Sequence, residues 1–312
     1  MFFIPSASPK GSEYKFIVKR GDTFSSIAKR LQDDKIISGI IPFRVSGMLL
    51  GGASKIIPGR YTIPVKFSYV SLAELFVKSI CEKEISVRIP DGSSNITIAA
   101  RLDAVLICPK DSVSKYIQSA KWKEKLKFSS DSLLGYLLPG EYTFFENTPT
   151  VEVIDSMLER FTNYFDKEKV QAAAALNLTP QQVIVLASIV DGETNKDSEM
   201  PVIAGVYLNR LRIGMKLQAD PTLQYARGGP WGRLDSKVLK MNSPYNTYKY
   251  LGLPPNAINN PGIPAINAVL NSERHEFLFF VADGTGGHTF SKTFSEHKKK
   301  ADNYRKVTYG NK

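Results

Sequence analysis

One acidic side chain in the second half of the chain stands where general acid chemistry needs it. A helix starting at Pro180 puts Leu186, Ile189 and Val190 on one face at about 100° per residue, and Glu193 falls among them. Asp191 falls on the other side. Burial at the end of an apolar stripe disfavours the charged carboxylate and raises its pKa. Such a group stays protonated near neutral pH and has a proton to give. The competing expectation is a fraying helix end, which Gly192 favours, with Glu193 pointing into water.

Further polar groups cluster downstream. Gln218, Asp220 and Thr222 supply an amide, a carboxylate and a hydroxyl suited to sugar hydroxyls, although Asp-Pro-Thr also reads as the start of a turn. Tyr245 and Asn246 stand side by side in SPYNTY, pairing an aromatic face for a sugar ring with an amide for its hydroxyls. Glu193 with Asp220 is the one carboxylate pair suited to hydrolysis of a glycosidic bond. The three histidines, His275, His288 and His297, lack metal-ligand spacing, so neither metal nor cofactor is expected. His288, in the Gly-rich GGHTF turn, is the histidine expected near a site. There is no P-loop, dinucleotide fingerprint or G-x-S-x-G elbow.

The elements that must position these residues are legible in part. Thr179, Pro180 and Gln182 form a helix N-cap, first turn and capping box. Asp197 or Ser198 is expected to cap a second helix ending near Gly214. Residues 215–264, rich in Pro, Gly, Asn and Tyr, read mostly as loop, and such long loops tend to carry function. Phe277–Ala282 reads as a buried strand, and a basic polar helix follows from about Ser295.

The first half contains a repeat. VKRGDTFSSIAKRL (Val18–Leu31) matches IPDGSSNITIAARL (Ile89–Leu102), with Gly21 on Gly92, Ile27-Ala28 on Ile98-Ala99 and Arg30-Leu31 on Arg101-Leu102. PGRYTI (Pro58–Ile63) is echoed by PGEYTF (Pro139–Phe144). Each copy reads as a β segment, a glycine turn and a short amphipathic helix. Ser71–Glu74 reads as the capping box of a further helix. The expected fold class is therefore α+β. A stub over 1–13, related small units over 14–80 and 81–165, and a larger mixed catalytic domain over 166–312 make up the chain.

Bulk properties narrow the partners. The net charge of +11 favours a polyanion or an anionic surface. Basic residues do not interleave with aromatics as in nucleic-acid modules, so no nucleic-acid partner is expected. No run of about 18 apolar residues spans a membrane. The two cysteines, Cys81 and Cys108, show no CxxC spacing and read as free thiols.

The stretch LASIVDGETNKDSEMPVIAGVYLNRLRIGMKLQADPT (Leu186–Thr222) resembles the signature of the YceG-like endolytic murein transglycosylases, the MltG family. SPYNTYKYLGLPP, NNPG and FVADGTGGHTF resemble it too, and the likeness is strong over about 180–306. The resemblance implies cleavage of peptidoglycan between N-acetylmuramic acid and N-acetylglucosamine, leaving 1,6-anhydro ends, with Glu193 acting as acid and then base. It carries substrate binding onto Asn209, Gln218, Asp220, Thr222, Tyr245, Asn246 and His288. The family's E-x-E-T motif reads Asp191-Gly192-Glu193-Thr194 here, a change expected to matter little because Asp191 faces away. LLPGEY departs from an expected LFPDTY, with Gly140 in place of an Asp. The resemblance further implies LysM-like glycan-binding units in the first half, with Gly21-Asp22-Thr23 as the opening of one. It also implies cell-wall synthesis enzymes as partners and a location outside the cytoplasm, through an N-terminal inner-membrane helix not contained in this sequence. A muramidase-type hydrolase and a non-catalytic glycan-binding scaffold remain the alternatives.

Overall fold

A computed structural model describes residues 6–7, 12–51, 56–119, 121–126 and 130–309. The protein is mixed α+β and divides into two compact units. The first comprises Met1–Val87, Val105–Cys108 and Tyr142–Pro149; the second comprises Arg88–Ala104, Pro109–Glu141 and Thr150–Lys312. Residues expected to form one unit over 81–165 are thus distributed over both. The stub expected over 1–13 lies largely outside the described residues.

In the first unit, β1 (Ser6–Ala7) pairs antiparallel with β4 (Lys66–Phe67). Between them β2 (Tyr14–Val18) is followed by α1 (Phe24–Asp33), α2 (Ile40–Leu49) and β3 (Gly59–Ile63). β2 and β3 are antiparallel, with Tyr14 opposite Ile63. Alternation buries Phe16 and Val18 on one strand and Tyr61 and Ile63 on the other. These meet Ile27 and Leu31 of α1, Phe43 of α2 and Phe76 of α3 (Tyr69–Val77) in an aromatic-rich core. Phe76 stands edge-on to Phe16 and Phe43 at 5.7 and 5.8 Å. The expected cap at Ser71 is displaced. Ser68 is the N-cap of α3, and Ser71 completes its box, because the two serines bond reciprocally through hydroxyl and backbone N–H.

The sheet continues in the order β2-β3-β5-β6, with β5 at Glu82–Ile89 and β6 at Gly140–Phe145. Along the chain, α4 (Asn95–Asp103) and α5 (Ser112–Gln118) lie between those strands, so β-α-α-β occurs twice. The paired glycines Gly21 and Gly92 both have positive φ, at 89° and 68°, which turns each strand into its helix at little steric cost.

The second unit is mostly helical. It holds α4, α5, α6 (Thr150–Tyr164), α7 (Lys167–Ala175), α8 (Pro180–Glu193), α9 (Met200–Arg212), α10 (Asp220–Arg227), α11 (Ser236–Leu239) and α12 (Ile263–Leu270). β7 (Phe279–Ala282) and β8 (His288–Ser291) form a hairpin, and α13 (Phe294–Tyr309) packs on it. α8 begins with the Thr179–Gln182 capping box and Pro180. Packed among α7, α9, α10 and α12, it buries every residue from Val183 to Val190. The apolar stripe expected on one face is therefore apolar all round, as for a helix at the centre of a core.

Three local expectations are corrected. α9 starts at Met200 with Glu199 at the cap position, not Asp197 or Ser198, and the Glu199 side chain serves elsewhere. Asp220-Pro221-Thr222 opens α10, because Pro is favoured in a first helical turn, so the segment 215–264 contains two helices. β7 is half-buried, having one strand partner among the described residues. No single helix among the described residues is long and apolar enough to cross a membrane.

Candidate active site

Glu193 is the last residue of α8, and Thr194 leaves the helix in extended conformation (φ −149°, ψ 146°). The carboxyl is delivered to a cavity of about 290 Å³ that also receives Arg210, Gln218, Asp220, Tyr248 and His297. Phe279, Phe280 and Phe294 form its aromatic wall. Part of the Glu193 surface opens to this space, while the carboxyl itself lies deep in protein matter. Burial pushes its pKa up to about 7; the nearby Asp220 charge acts the same way, while the Tyr207 hydrogen bond and Arg210 oppose.

Each neighbour of Glu193 is itself held. The Tyr207 hydroxyl, one α9 turn before Arg210, donates to Glu193 Oε1. Burial lifts the Tyr207 pKa well above its ordinary value, so it stays a donor. Its ring stands edge-on to Phe280 at 5.9 Å. Arg210 is buried, donating from Nε to the Leu278 carbonyl at 2.7 Å and from Nη1 to the Leu217 carbonyl. A guanidinium does not deprotonate in proteins, so Arg210 sets a fixed positive charge beside the cavity.

Asp220 accepts a hydrogen bond from Tyr248 Oη at 2.5 Å and opens α10, where the helix dipole favours negative charge. Gln218 is held at φ 50°, a left-handed conformation rare for a non-glycine residue, by its N–H bond to the Thr247 carbonyl at 3.1 Å. His297 stacks on Phe279 at 5.4 Å, and burial lowers its pKa. The imidazole is therefore neutral at pH 7, with an Nδ1 that has no hydrogen-bond partner.

The structure brings Glu193, Gln218 and Asp220 into one cavity, and places the other named residues elsewhere. Asn209 is buried, donating to the carbonyls of His275 and Phe277 at 2.8 and 3.1 Å. Thr222 is buried in a hydroxyl network with Thr247 and the Ala219 carbonyl that braces the Gln218–Asp220 turn. Asn246 spends both amide hydrogens on the carbonyls of Leu239 and Met241, and its oxygen accepts from Tyr248 and Lys249. The polar atoms of these three already have partners within the fold. Tyr245 packs on Tyr225 at 4.7 Å, away from the cavity wall. His288 pairs with Glu199 through Nδ1 at 2.8 Å and backbone N–H at 3.1 Å, and lies edge-on to Phe280. It steadies the aromatic wall from behind.

Asp191, expected on the other side of the helix, lies outside the Glu193 cavity. Its Oδ1 accepts the Gly262 N–H at 3.1 Å, and burial raises its pKa to about 6, with Asp91 and Asp197 adding to the rise. Tyr207, Arg210, Tyr248 and His297 are the site residues that sequence reasoning missed. Arg210 sits nearly three helical turns past Met200, in the NRLR run beside Asn209, and only its charge inside a largely apolar helix gives it away.

The fold and the cavity define an α+β protein that presents one proton-bearing carboxylate to an aromatic cleft. The sequence model of the YceG-like family matches residues 16–303, and the chain belongs to that family. The endolytic murein transglycosylase of Bacillus subtilis (strain 168) is 27% identical over 302 residues, covering 92% of this chain and 83% of the relative. That of Streptococcus pneumoniae serotype 2 is 35% identical over 167 residues, covering 51% of this chain and 29% of the relative. The crystal structure of a YceG-like protein from Listeria monocytogenes superposes with a TM-score of 0.62 at 26% identity, covering 92% of this chain and 98% of that one.

Proposed function

We propose that the protein is a lytic transglycosylase that cuts peptidoglycan strands internally, at the bond from N-acetylmuramic acid to N-acetylglucosamine, with Glu193 as acid and then base. The observation that carries this reading is the Glu193 carboxyl, held near neutral pKa in a cleft with a positive charge and a neutral histidine beside it. The names of the similar enzymes support it. Protonated Glu193 gives its proton to the bridging oxygen as the bond to the anomeric carbon breaks. The oxocarbenium-like sugar is then closed by its own 6-hydroxyl: that oxygen bonds to the anomeric carbon, and Glu193 takes the released proton. An intramolecular nucleophile needs no positioned water. Gln218 and Asp220 are suited to hold sugar hydroxyls, and the phenylalanines to stack on ring faces.

Asp220 in the same cavity supports a second reading, a hydrolase in which Glu193 and Asp220 divide the work. The two β-α-α-β segments suit a LysM-like role in holding glycan. A substrate of this kind puts the working protein outside the cytoplasm, alongside the enzymes that build the wall.

Mass spectrometry of digested peptidoglycan tests the reading. Anhydro-muramic ends from the native protein, and a loss of about 100- to 10,000-fold in Glu193→Gln, are expected. Reducing ends that vanish in Asp220→Asn would establish the hydrolase instead. Undiminished cutting by Glu193→Gln would remove Glu193 from either mechanism.

A further inference from the structure

Arg210 is a buried charge with no opposite charge against it. It is 6% exposed, and it forms no ion pair among the described residues. Arginines are almost never fully buried unless paired, because a cation taken out of water loses hydration that neutral contacts do not fully return. Glu193 acts on it from a distance, but that carboxyl carries its proton below about pH 7. The rings of Phe279 and Tyr207, 5.4 and 6.0 Å from the guanidinium carbon, give partial compensation.

The geometry of the guanidinium is a separate observation. Nε donates to the Leu278 carbonyl at 2.7 Å and Nη1 to the Leu217 carbonyl, which fixes the plane of the fork. Nη2 forms no hydrogen bond among the described residues, and it is not sealed off from solvent-accessible space. Arg210 is part of the wall of the Glu193 cavity, and Nη2 is the end of the fork left open. A guanidinium held at two points and free at the third is pre-organised to give charge-assisted hydrogen bonds.

We propose that Arg210 binds substrate through Nη2, gripping an oxygen of the N-acetyl or the lactyl carbonyl group of the N-acetylmuramic acid at the cut. The proposal rests on the glycan-cutting reading above. Arginine has donors and no acceptor, so its mate is an acceptor. The carbonyl groups are the strong acceptors of a glycan strand, while its hydroxyls both give and accept and suit the amide of Gln218 and the carboxyl of Asp220 in the same cavity. The grip gives the buried charge its missing counterpart and holds the sugar beside the Glu193 proton. Lysine in this place keeps the charge and loses the fork.

Three peptide-free strands test this: intact strands, strands with the muramic N-acetyl groups removed, and strands of N-acetylglucosamine alone, which lack the lactyl group. Binding is measured by calorimetry in Glu193→Gln, and cutting of intact strands by the native protein is measured beside it. Arg210→Lys, added to Glu193→Gln, is expected to weaken intact strands at least about tenfold in Kd. It should spare at least one of the other two, and the group missing from the spared strand is the one gripped. An equal loss on all three strands, as a merely structural role would give, or no loss on intact strands, would overturn the inference, while cutting by the native protein keeps the catalytic reading. Should the double variant lack a sharp thermal melt, the side-chain N–H resonances of Arg210 in Glu193→Gln decide. They should move with intact strands and with at most one of the others; movement with all three alike, or with none, overturns the grip. Intact strands that are neither bound nor cut would overturn both readings.

Discussion

The proton on Glu193 is set by opposing neighbours, and that makes its behaviour testable. Burial and Asp220 raise its pKa to about 7, while Tyr207 and Arg210 favour the charged form. If protonated Glu193 starts the reaction, kcat/KM falls as pH rises through about 7. Tyr207→Phe removes a donor to the carboxylate, so the alkaline limb should move upward in a pH–rate profile; a downward move would contradict the assigned hydrogen bond. The same shift bears on stability. Between the ordinary value of 4.5 and about 7, the folded state holds a proton that the unfolded state has released. Stability therefore decreases as pH rises through that window, and the loss is complete above it. Glu193→Gln removes this loss, so at pH 8 the variant should unfold at a higher urea midpoint than the native protein, by on the order of 1 kcal/mol. At this scale the sequence is informative about Glu193, whose same-face neighbours Leu186, Ile189 and Val190 on α8 are apolar. It is silent about Arg210 and His297, whose places depend on distant partners: the Leu278 carbonyl for Arg210 and the Phe279 ring for His297. The partners of Asn209 and Asn246 are hidden for a related reason: amides suited to sugars are equally suited to backbone carbonyls, and the fold offers those first.

At the scale of elements, α8 is the axis on which the Glu193 cavity depends, and it is fixed at its start and its middle. Thr179 satisfies the Gln182 N–H and Gln182 returns the bond, so Thr179→Ala should cost about 1 kcal/mol. Deeper in, the Ser188 hydroxyl donates to the Val185 carbonyl and accepts the Ile258 N–H at 3.0 Å, tying the 257–260 segment to the helix. Ser188→Ala leaves that buried N–H unpaired and should cost about 1–3 kcal/mol. Urea unfolding would check both, through a lower midpoint at unchanged slope. A Ser188→Ala protein as stable as the native one would mean that the Ile258 N–H finds another acceptor. The cap is legible in Thr-Pro-Gln-Gln because capping is local chemistry. The Ser188 clamp is not, because its partner lies seventy residues away and no period marks it.

At the scale of the whole chain, the two units differ in how far they are contiguous. The aromatic core of the first lies within residues 14–81, and its β2–β3 pair closes within the same span. The second is assembled from separated stretches. Asn260 accepts from the backbone N–H groups of Gly135 and Leu137 and donates to the Ser93 carbonyl, at 2.8, 3.1 and 2.9 Å. Gly135, at φ 100°, packs so closely that a Cβ there would stand 2.6 Å from Ile184 of α8. A domain boundary read from sequence motifs near residue 166 passes over these bonds, since motifs mark chemistry and not the strands of backbone that brace it. A fragment beginning at Thr150 keeps every residue of the Glu193 cavity and loses all three partners of Asn260. That leaves buried amide groups unpaired and opens the flank of α8, and several such losses approach the whole stability of a domain. The fragment 150–312 should therefore show helical far-ultraviolet dichroism with a broad thermal transition and strong binding of a hydrophobic dye, as expected of loosened packing. The fragment 12–89 keeps its core and should melt in one sharp step, although a chain that short buries little surface and will melt early. A sharp transition in 150–312, with the activity of the full chain, would mean that residues 88–141 add nothing to the catalytic unit.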